Sequence, residues 1–220
     1  IDTNQIENLQ QPNSASTVYT AFGIVSSGTS ILNRLNIVTG CEVGIQVQQG
    51  APGNEATSGD NYYGRDATAT TTGFLANRND ITGNTVSGVR NQGTGVIQNF
   101  EGNWWGDATG PNVASNTSPS GAGETYSSTG TIAYNAWLAE DPDDVSGTGL
   151  GQVGIQWNGP KHFRVKLSAN ASSLSTPNVL NQAVAVVSNG IYTDTVDVHT
   201  GTYALSAESV VMSRRVYFRG

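Results

Sequence analysis

Two stretches of this chain echo each other: "VTGCEVGI" at residues 38–45 and "ITGNTVSGV" at residues 81–89. A shorter echo overlaps the first of them, because "GIVS" at residues 23–26 recurs 21 residues later as "GIQV" at residues 44–47. Brief Ile/Val-rich strands separated by Gly or Asn, with a step of about twenty residues, are typical of the coils of a parallel β-solenoid. The 43-residue spacing of the longer echo then corresponds to about two coils.

A third echo has nearly the same step length. "GFLAN" at residues 73–77 recurs 22 residues later as "GVIQN" at residues 95–99. Stacked coils predict apolar ladders of inward side chains, formed by Ile24, Ile45, Phe74, Leu75, Val96 and Ile97. They also predict that Asn77 and Asn99 stack their amides at a turn. An antiparallel sandwich is the alternative for short strands with turn signals, but it does not predict the recurrence.

One long segment breaks the repeat. Residues 48–72 are rich in Gly, Ser and Thr, and we expect a loop that extends from one corner of a coil.

Composition favours strands and excludes several classes of function. The chain has 220 residues and 27 glycines, only 12% of its residues are charged, and its net charge is −7. A nucleic-acid-binding protein needs a basic stripe, and none is present. No stretch has the roughly 20 consecutive apolar residues of a membrane span. We therefore expect neither a nucleic-acid partner nor a membrane span.

The residues that most often carry chemistry are few. Cys41 is the only cysteine, which excludes an intrachain disulfide, and its neighbours suggest a small buried core residue. His162 and His199 are isolated in the sequence.

The segment "NWWGDATGP" at residues 103–111, followed by "YNAWL" at residues 134–138, carries a resemblance. It is similar to the C-terminal end of right-handed parallel β-helix proteins of the pectate-lyase-like superfamily, in which such a segment closes the last coils. The resemblance implies a structural closing motif made of Asn103, Trp104, Trp105, Gly106, Asp107, Gly110 and Pro111. Paired tryptophans that cover the coil end are the favoured interpretation, and a sugar-stacking platform is the alternative.

A second resemblance lies at the other end of the chain. Residues 178–220 resemble the opening of such a β-helix, with a short amphipathic helix at Leu180, Val184 and Val187, an alternating strand, a Gly-Thr-Tyr turn and a last strand. We therefore expect β-helix coils over 1–105, a closing segment and linker over 106–150, and over 151–220 a strand pair followed by the cap helix and first coil of a second β-helix.

No catalytic motif of the family is matched, so we expect no catalytic, cofactor-binding or metal-binding residues. The best enzyme alternative is a site of Asp60, Arg65 and Asp66 in the long loop. The acidic run of Glu140, Asp141, Asp143 and Asp144 is the only candidate for calcium, and a solvated linker is favoured because the run lacks the spacing of a calcium loop. Asn116 and Asn170 begin sequons for N-glycosylation.

The reversed order of the two resemblances predicts a function. A chain that starts in mid-solenoid and ends after a fresh cap offers strand edges to other copies. We expect an all-β, extracellular or cell-surface structural module that assembles head-to-tail into a filament or tandem array. The alternatives are a carbohydrate-active β-helix enzyme (a polysaccharide lyase or glycoside hydrolase) and a carbohydrate-binding adhesin.

Overall fold

The structure is a computed structural model, and it describes residues 1, 4–9, 21–26, 30–47, 75–92, 98–117, 119–128, 132–142, 155, 160–166, 180, 193–200 and 216–220. The described part is almost entirely β, as predicted from the sequence. A single described residue, Leu180, is helical. No helix in these ranges is long and apolar enough to cross a membrane.

Eleven of the described strands form three parallel sheets. They are β1 (Gln5–Glu7), β2 (Phe22–Ser26), β3 (Leu32–Arg34), β4 (Ile37–Thr39), β5 (Val43–Val47), β6 (Leu75–Asn77), β7 (Asp80–Thr82), β8 (Ser87–Asn91), β9 (Gln98–Asn99), β10 (Tyr126–Ser128) and β11 (Ile132–Ala133). The sheet orders are β1-β4-β7, β2-β5-β8-β10 and β3-β6-β9-β11. Successive strands from β1 to β9 therefore visit the three sheets in rotation.

The register of these sheets confirms one sequence prediction and corrects another. Ile24 pairs with Ile45 in parallel, as the 21-residue step predicts. However, Val38 pairs directly with Ile81. The 43-residue spacing is thus one step and not two, because the long segment between β5 and β6 lies within it. All pairs among β1 to β11 are parallel, which argues against an antiparallel sandwich here.

The third echo predicted the wrong register. Leu75 pairs with Asn99, so Asn77 and Asn99 do not stack on one another. Leu75 is only partly buried, and its neighbour Ala76 is the fully buried residue of β6. The observed offset between β6 and β9 is 24 residues and the echo has 22, so the echo aligned the wrong residues by two positions. The inward residue was misassigned because, of two neighbours on alternating faces of the strand, Ala76 and not Leu75 faces the core. Phe74, Val96 and Ile97, as well as the predicted loop over 48–72, lie outside the described residues.

A ladder of asparagine side chains runs along the corner that precedes the first sheet. The Asn79 Oδ1 accepts hydrogen bonds from the backbone N–H and the Nδ2 of Asn36, each at 3.0 Å. In the same way, the Asn103 Oδ1 accepts hydrogen bonds from the backbone N–H and the Nδ2 of Asn79, at 3.0 and 2.9 Å. The Asn36 Oδ1 accepts the same pair of bonds from Asn4, at 2.9 and 3.0 Å. The sequence predicted amide stacking at Asn77 and Asn99. The structure shows such stacking at Asn4, Asn36, Asn79 and Asn103 instead.

The three sheets enclose one core. Its fully buried members include Val38, Ile45, Ile81, Val89 and Phe100. Cys41 belongs to the same core and is fully buried, as its neighbours in the sequence predicted. Burial raises the pKa of its thiol, so the thiolate is disfavoured there.

A fourth sheet contains the remaining described strands, β12 (Trp137–Leu138), β13 (His162–Val165), β14 (Asp194–Val198) and β15 (Val216–Arg219). Its order is β12-β13-β14-β15, with β13, β14 and β15 parallel to one another. β12 pairs with β13 in the antiparallel sense. β13 pairs with β12 on one side and with β14 on the other, and the remaining residues of the strand pair expected after residue 151 lie largely outside the described residues.

Backbone hydrogen bonds connect the fourth sheet to the first. Trp104 bridges to Asp80 of β7 in parallel. β12 bonds to the segment that contains Trp104, because the Leu138 N–H donates to the carbonyl of Asn103 at 3.0 Å. β12 thus continues the stack that begins with β1, and the β12–β13 pair joins two stacks whose strands run in opposite directions. Apart from Leu180, the predicted cap helix lies outside the described residues.

Candidate functional site

The closing motif lies between the two stacks. Asn103 is fully buried at the end of the asparagine ladder, and its Nδ2 donates to the carbonyls of Ala76 and Phe100, both at 2.7 Å. Trp105 is fully buried in the core of the three sheets, whereas Trp104 is half-buried against the core of the fourth sheet. The two indoles therefore belong to different cores and do not form one cover over a coil end. Trp105 offers no exposed face on which a sugar could stack.

The turn after the tryptophans is fixed to the fourth sheet. The Asp107 carboxylate accepts hydrogen bonds from the Thr109 N–H at 2.8 Å and the Thr109 hydroxyl at 2.5 Å, and these bonds lower the pKa of Asp107. The Ala108 carbonyl accepts the Trp137 indole N–H at 3.1 Å and an Arg164 guanidinium N–H at 2.9 Å. The turn thereby holds Arg164 in place.

Gly110 shows why this turn contains glycine. Its φ is +82°, and a Cβ atom placed there would lie 2.5 Å from the Trp137 ring. Both the left-handed backbone and the close contact exclude larger residues. The next residue, Pro111, forms a parallel β-bridge with Gly123.

Alternation along the strands of the fourth sheet gives it an apolar and a polar face. Phe163, Val165 and Val196 are fully buried, and their neighbours on each strand project to the other face. Arg164 is in register with Asp197, and Asp197 is in register with Arg219. Three charged residues thus form one row across β13, β14 and β15.

A groove of about 380 Å³ lies on this polar face, beside the closing turn. The residues that line it are Thr109, Pro119, Arg164, Lys166, Asp197, Val198, His199, Thr200, Arg219 and Gly220. Arg164, Lys166 and Arg219 are cationic, and Asp197 is the one acidic side chain in that set. The groove is therefore positively charged in a chain whose net charge is −7.

Lys166 is the most constrained cation of the groove. It is 1% exposed, and its Nζ donates to the Asn116 Oδ1 at 2.8 Å and to the Pro119 carbonyl at 2.5 Å. The Nζ also lies 5.8 Å from the centroid of the Trp137 ring. Burial lowers the pKa of Lys166, and the nearby charge of Arg164 lowers it further.

Asp197 neutralises only one of the three cations. Arg219 donates to both of its carboxylate oxygens, from Nε at 2.8 Å and from a terminal nitrogen at 2.9 Å. Two parallel bonds of this kind match the planar guanidinium to the carboxylate. Arg164 and Lys166 donate hydrogen bonds to neutral oxygens, at Ala108, Asn116 and Pro119, and Arg164 also interacts electrostatically with the Asp107 carboxylate.

One predicted modification site, Asn116, lies in this region and has a structural role there. Asn116 is fully buried, and its Nδ2 donates to the carbonyls of Thr109 and Pro111, each at 2.9 Å. A glycan on that nitrogen would displace both bonds and the contact with Lys166, so the sequon prediction at Asn116 does not fit the fold. Asn170 lies outside the described residues.

The other predicted sites are only partly described. Asp60, Arg65, Asp66, Asp143 and Asp144 lie outside the described residues. Glu140 accepts a hydrogen bond from the His162 backbone N–H at 3.0 Å, which anchors the start of β13. Within the described ranges no group of three or more His, Cys, Asp or Glu side chains is placed to hold a metal ion.

A second groove, of about 450 Å³, adjoins the corner between β7 and β8. Glu124 lines it and accepts the Asn84 backbone N–H at 2.8 Å, and burial raises the pKa of this carboxyl group. The Asn84 Oδ1 in turn accepts the Cys41 N–H at 3.1 Å. These bonds link the segments that follow β4 and β7 to the segment that precedes β10, so the carboxylate is explained by its structural contacts.

Sequence reasoning missed the basic groove. The sequence shows no basic stripe, and His199 is isolated in it. The alternation in "HFRVK" at 162–166 and "DTVDVH" at 194–199 indicates which residues share a face of one strand. It does not indicate which strands are neighbours, and that information is needed to bring the three cations together.

Comparison of the chain with protein-family models, curated proteins and solved structures finds no match. The resemblance to the pectate-lyase-like superfamily therefore stays a prediction.

Proposed function

We propose that this chain is part of an extracellular right-handed parallel β-helix that serves as a structural surface module and associates end to end with further copies. Three features of the described residues support the β-helix. The strands visit three parallel sheets in rotation, coil follows coil in register, and buried asparagines stack along one corner. The extracellular location rests on the resemblance alone.

The junction between β12 and β13 is the observation that carries the assembly proposal. At this junction the end strand of one parallel stack pairs with the first strand of another, Trp137 with Arg164 and Leu138 with Phe163. Buried apolar residues on both sides pack into one cluster. The chain thus contains within itself the kind of end-to-end contact that two copies would make.

The outer strands of the described sheets have the surface that such a contact needs. β1, β2 and β3 are the outermost described strands at one end, and β15 is outermost at the other. Exposed large apolar side chains occur at both ends: Val25 on β2, Leu32 on β3 and Tyr217 on β15 are 38%, 40% and 60% exposed. Edge strands with apolar side chains favour pairing with another chain.

A charge on the edge strand tests the proposal. Val25→Lys places a cation on β2, and Val86→Lys is the matched control, because Val86 is 61% exposed and lies between β7 and β8. Sedimentation velocity and electron microscopy over a concentration series should show assembly of the wild type and of Val86→Lys. Val25→Lys should remain monomeric, with an unchanged circular dichroism spectrum.

Two results would contradict this function. A wild-type chain that stays monomeric at the highest concentration, or a Val25→Lys variant that assembles equally well, would remove the assembly role. Steady release of unsaturated products or reducing ends from uronate polymers would instead favour the carbohydrate-active enzyme.

A further inference from the structure

Among the described residues, the polar face of the fourth sheet carries three cationic side chains, Arg164, Lys166 and Arg219, and the acidic side chains that interact with them are Asp197 and Asp107. Arg164 and Lys166 are two residues apart on the same side of one extended segment, which places their Cα atoms about 7 Å apart. Their mutual repulsion is one reason for the lowered pKa of Lys166. Bringing two cations together beside a groove costs free energy unless an anion offsets it.

The hydrogen-bonding capacity of the groove points in the same direction. A guanidinium has five N–H donors, and Arg164 uses one of them in its bond to Ala108. The Arg219 guanidinium uses two in its bonds to Asp197. An ammonium has three donors, and two of those of Lys166 are used. In the described part of the chain, the donors that remain on these three cations have no acceptor.

The cations are also held in place before any ligand arrives. Lys166 is 1% exposed and is fixed by two oxygens. Arg164 is fixed by the closing turn, whose Ala108 carbonyl is itself positioned by Trp137. Ordering these long side chains on binding would otherwise reduce affinity, so a preorganised set is typical of a binding site.

We propose that this groove binds an oxyanion, a carboxylate or sulfate group, between Arg164, Lys166 and Arg219. A planar guanidinium recognises two oxygens of such a group at once, and the ammonium adds a point charge. The volume of about 380 Å³ accommodates the anionic group together with the ring that bears it. The groove lies on the face of the sheet, and Arg219 extends it to β15, the outermost strand of that sheet.

Titration with defined anions tests the site. Sodium sulfate and sodium acetate are added at constant ionic strength, and binding is followed by two-dimensional ¹H–¹⁵N NMR of the full chain. We expect saturable shifts at β13, β14 and β15. Arg164→Gln should weaken binding by roughly tenfold or more, since a charge-assisted contact is lost. Arg90→Gln on β8 is the matched control with the same change in charge, and it should bind as the wild type does.

A second variant changes the affinity in the opposite direction. Asp197→Asn removes the acidic side chain of the groove and releases Arg219 from its ion pair, so we expect tighter anion binding than in the wild type. Because a misfolded variant loses affinity, a gain distinguishes the proposal from general damage to the fold.

Polymers identify the source of the anion. Heparin and polygalacturonate present sulfate or carboxylate groups on a chain of sugars, and tighter binding per group than to the free anions would indicate an acidic polysaccharide. Equal binding would indicate a small anionic solute. Absence of saturable shifts with all four probes, or an Arg164→Gln variant that binds as well as Arg90→Gln, would overturn the proposal.

Discussion

Replacement of Asn79 by Ala tests whether the asparagine ladder stabilises the fold. Asn79 is fully buried, and its side chain makes four hydrogen bonds. Two are accepted from Asn36, one is donated to the Asn33 carbonyl at 3.2 Å and one to the Asn103 Oδ1 at 2.9 Å. The Asn79→Ala variant leaves these groups buried without their partners.

The structure sets the size of the effect. A hydrogen bond contributes about 0.5–1.5 kcal/mol net, so the loss of these four bonds should lower the free energy of unfolding by about 2–6 kcal/mol. For a chain of this size, that corresponds to a fall in melting temperature of roughly 4–24 °C. Urea unfolding followed by circular dichroism measures the change in midpoint and slope.

Asn112→Ala is the control for this experiment. The Asn112 side chain is exposed, and its truncation should change the free energy of unfolding by less than about 0.5 kcal/mol. If Asn79→Ala cost no more than Asn112→Ala, the ladder would not contribute to stability and the reasoning would be refuted.

Two further changes test the closing turn and the buried lysine. Gly110→Ala should lower the free energy of unfolding by about 2–4 kcal/mol, because φ is +82° and the new Cβ would lie 2.5 Å from the Trp137 ring. Gly106→Ala should cost only about 1 kcal/mol, because its φ of +87° is similar but the nearest atom is 3.2 Å away. Equal losses of the two variants in thermal unfolding would contradict this expectation. The pKa of Lys166 is lowered in the folded chain, so the folded state releases its proton at a lower pH than the unfolded state does. The free energy of unfolding should therefore rise with pH from the folded pKa up to the unfolded value of about 10.4. Lys166→Met should lack this rise, and parallel stability curves for the two proteins in urea titrations from about pH 8 to 10.5 would contradict the assignment.

The sequence predicted parallel pairing because echoes report which residues occupy equivalent positions. Ile24 and Ile45 pair as their 21-residue step implies. The same reasoning failed for Val38 and Ile81, because a spacing of 43 residues has two explanations, two plain coils or one coil with an insertion. Spacing alone does not distinguish them, since loop length has little effect on the pairing of the strands on either side.

The asparagine ladder could have been found in the sequence, because Asn36 and Asn79 have the same 43-residue spacing as Val38 and Ile81. The interpretation of that spacing as two coils concealed the pair. The basic groove depended on still more distant pairings. Arg164 lies opposite Asp197 and Asp197 opposite Arg219 only because β13, β14 and β15 adopt one particular register, and no echo in the sequence specifies it.

The long connection between β5 and β6 has a consequence for engineering. β5 ends at Val47 and β6 begins at Leu75, yet β4 and β5 pair in register with β7 and β8. The pairing of the flanking strands is therefore compatible with a long connection between them. We expect a foreign peptide grafted between Val47 and Leu75 to leave the pairing of β4 and β5 with β7 and β8 unchanged.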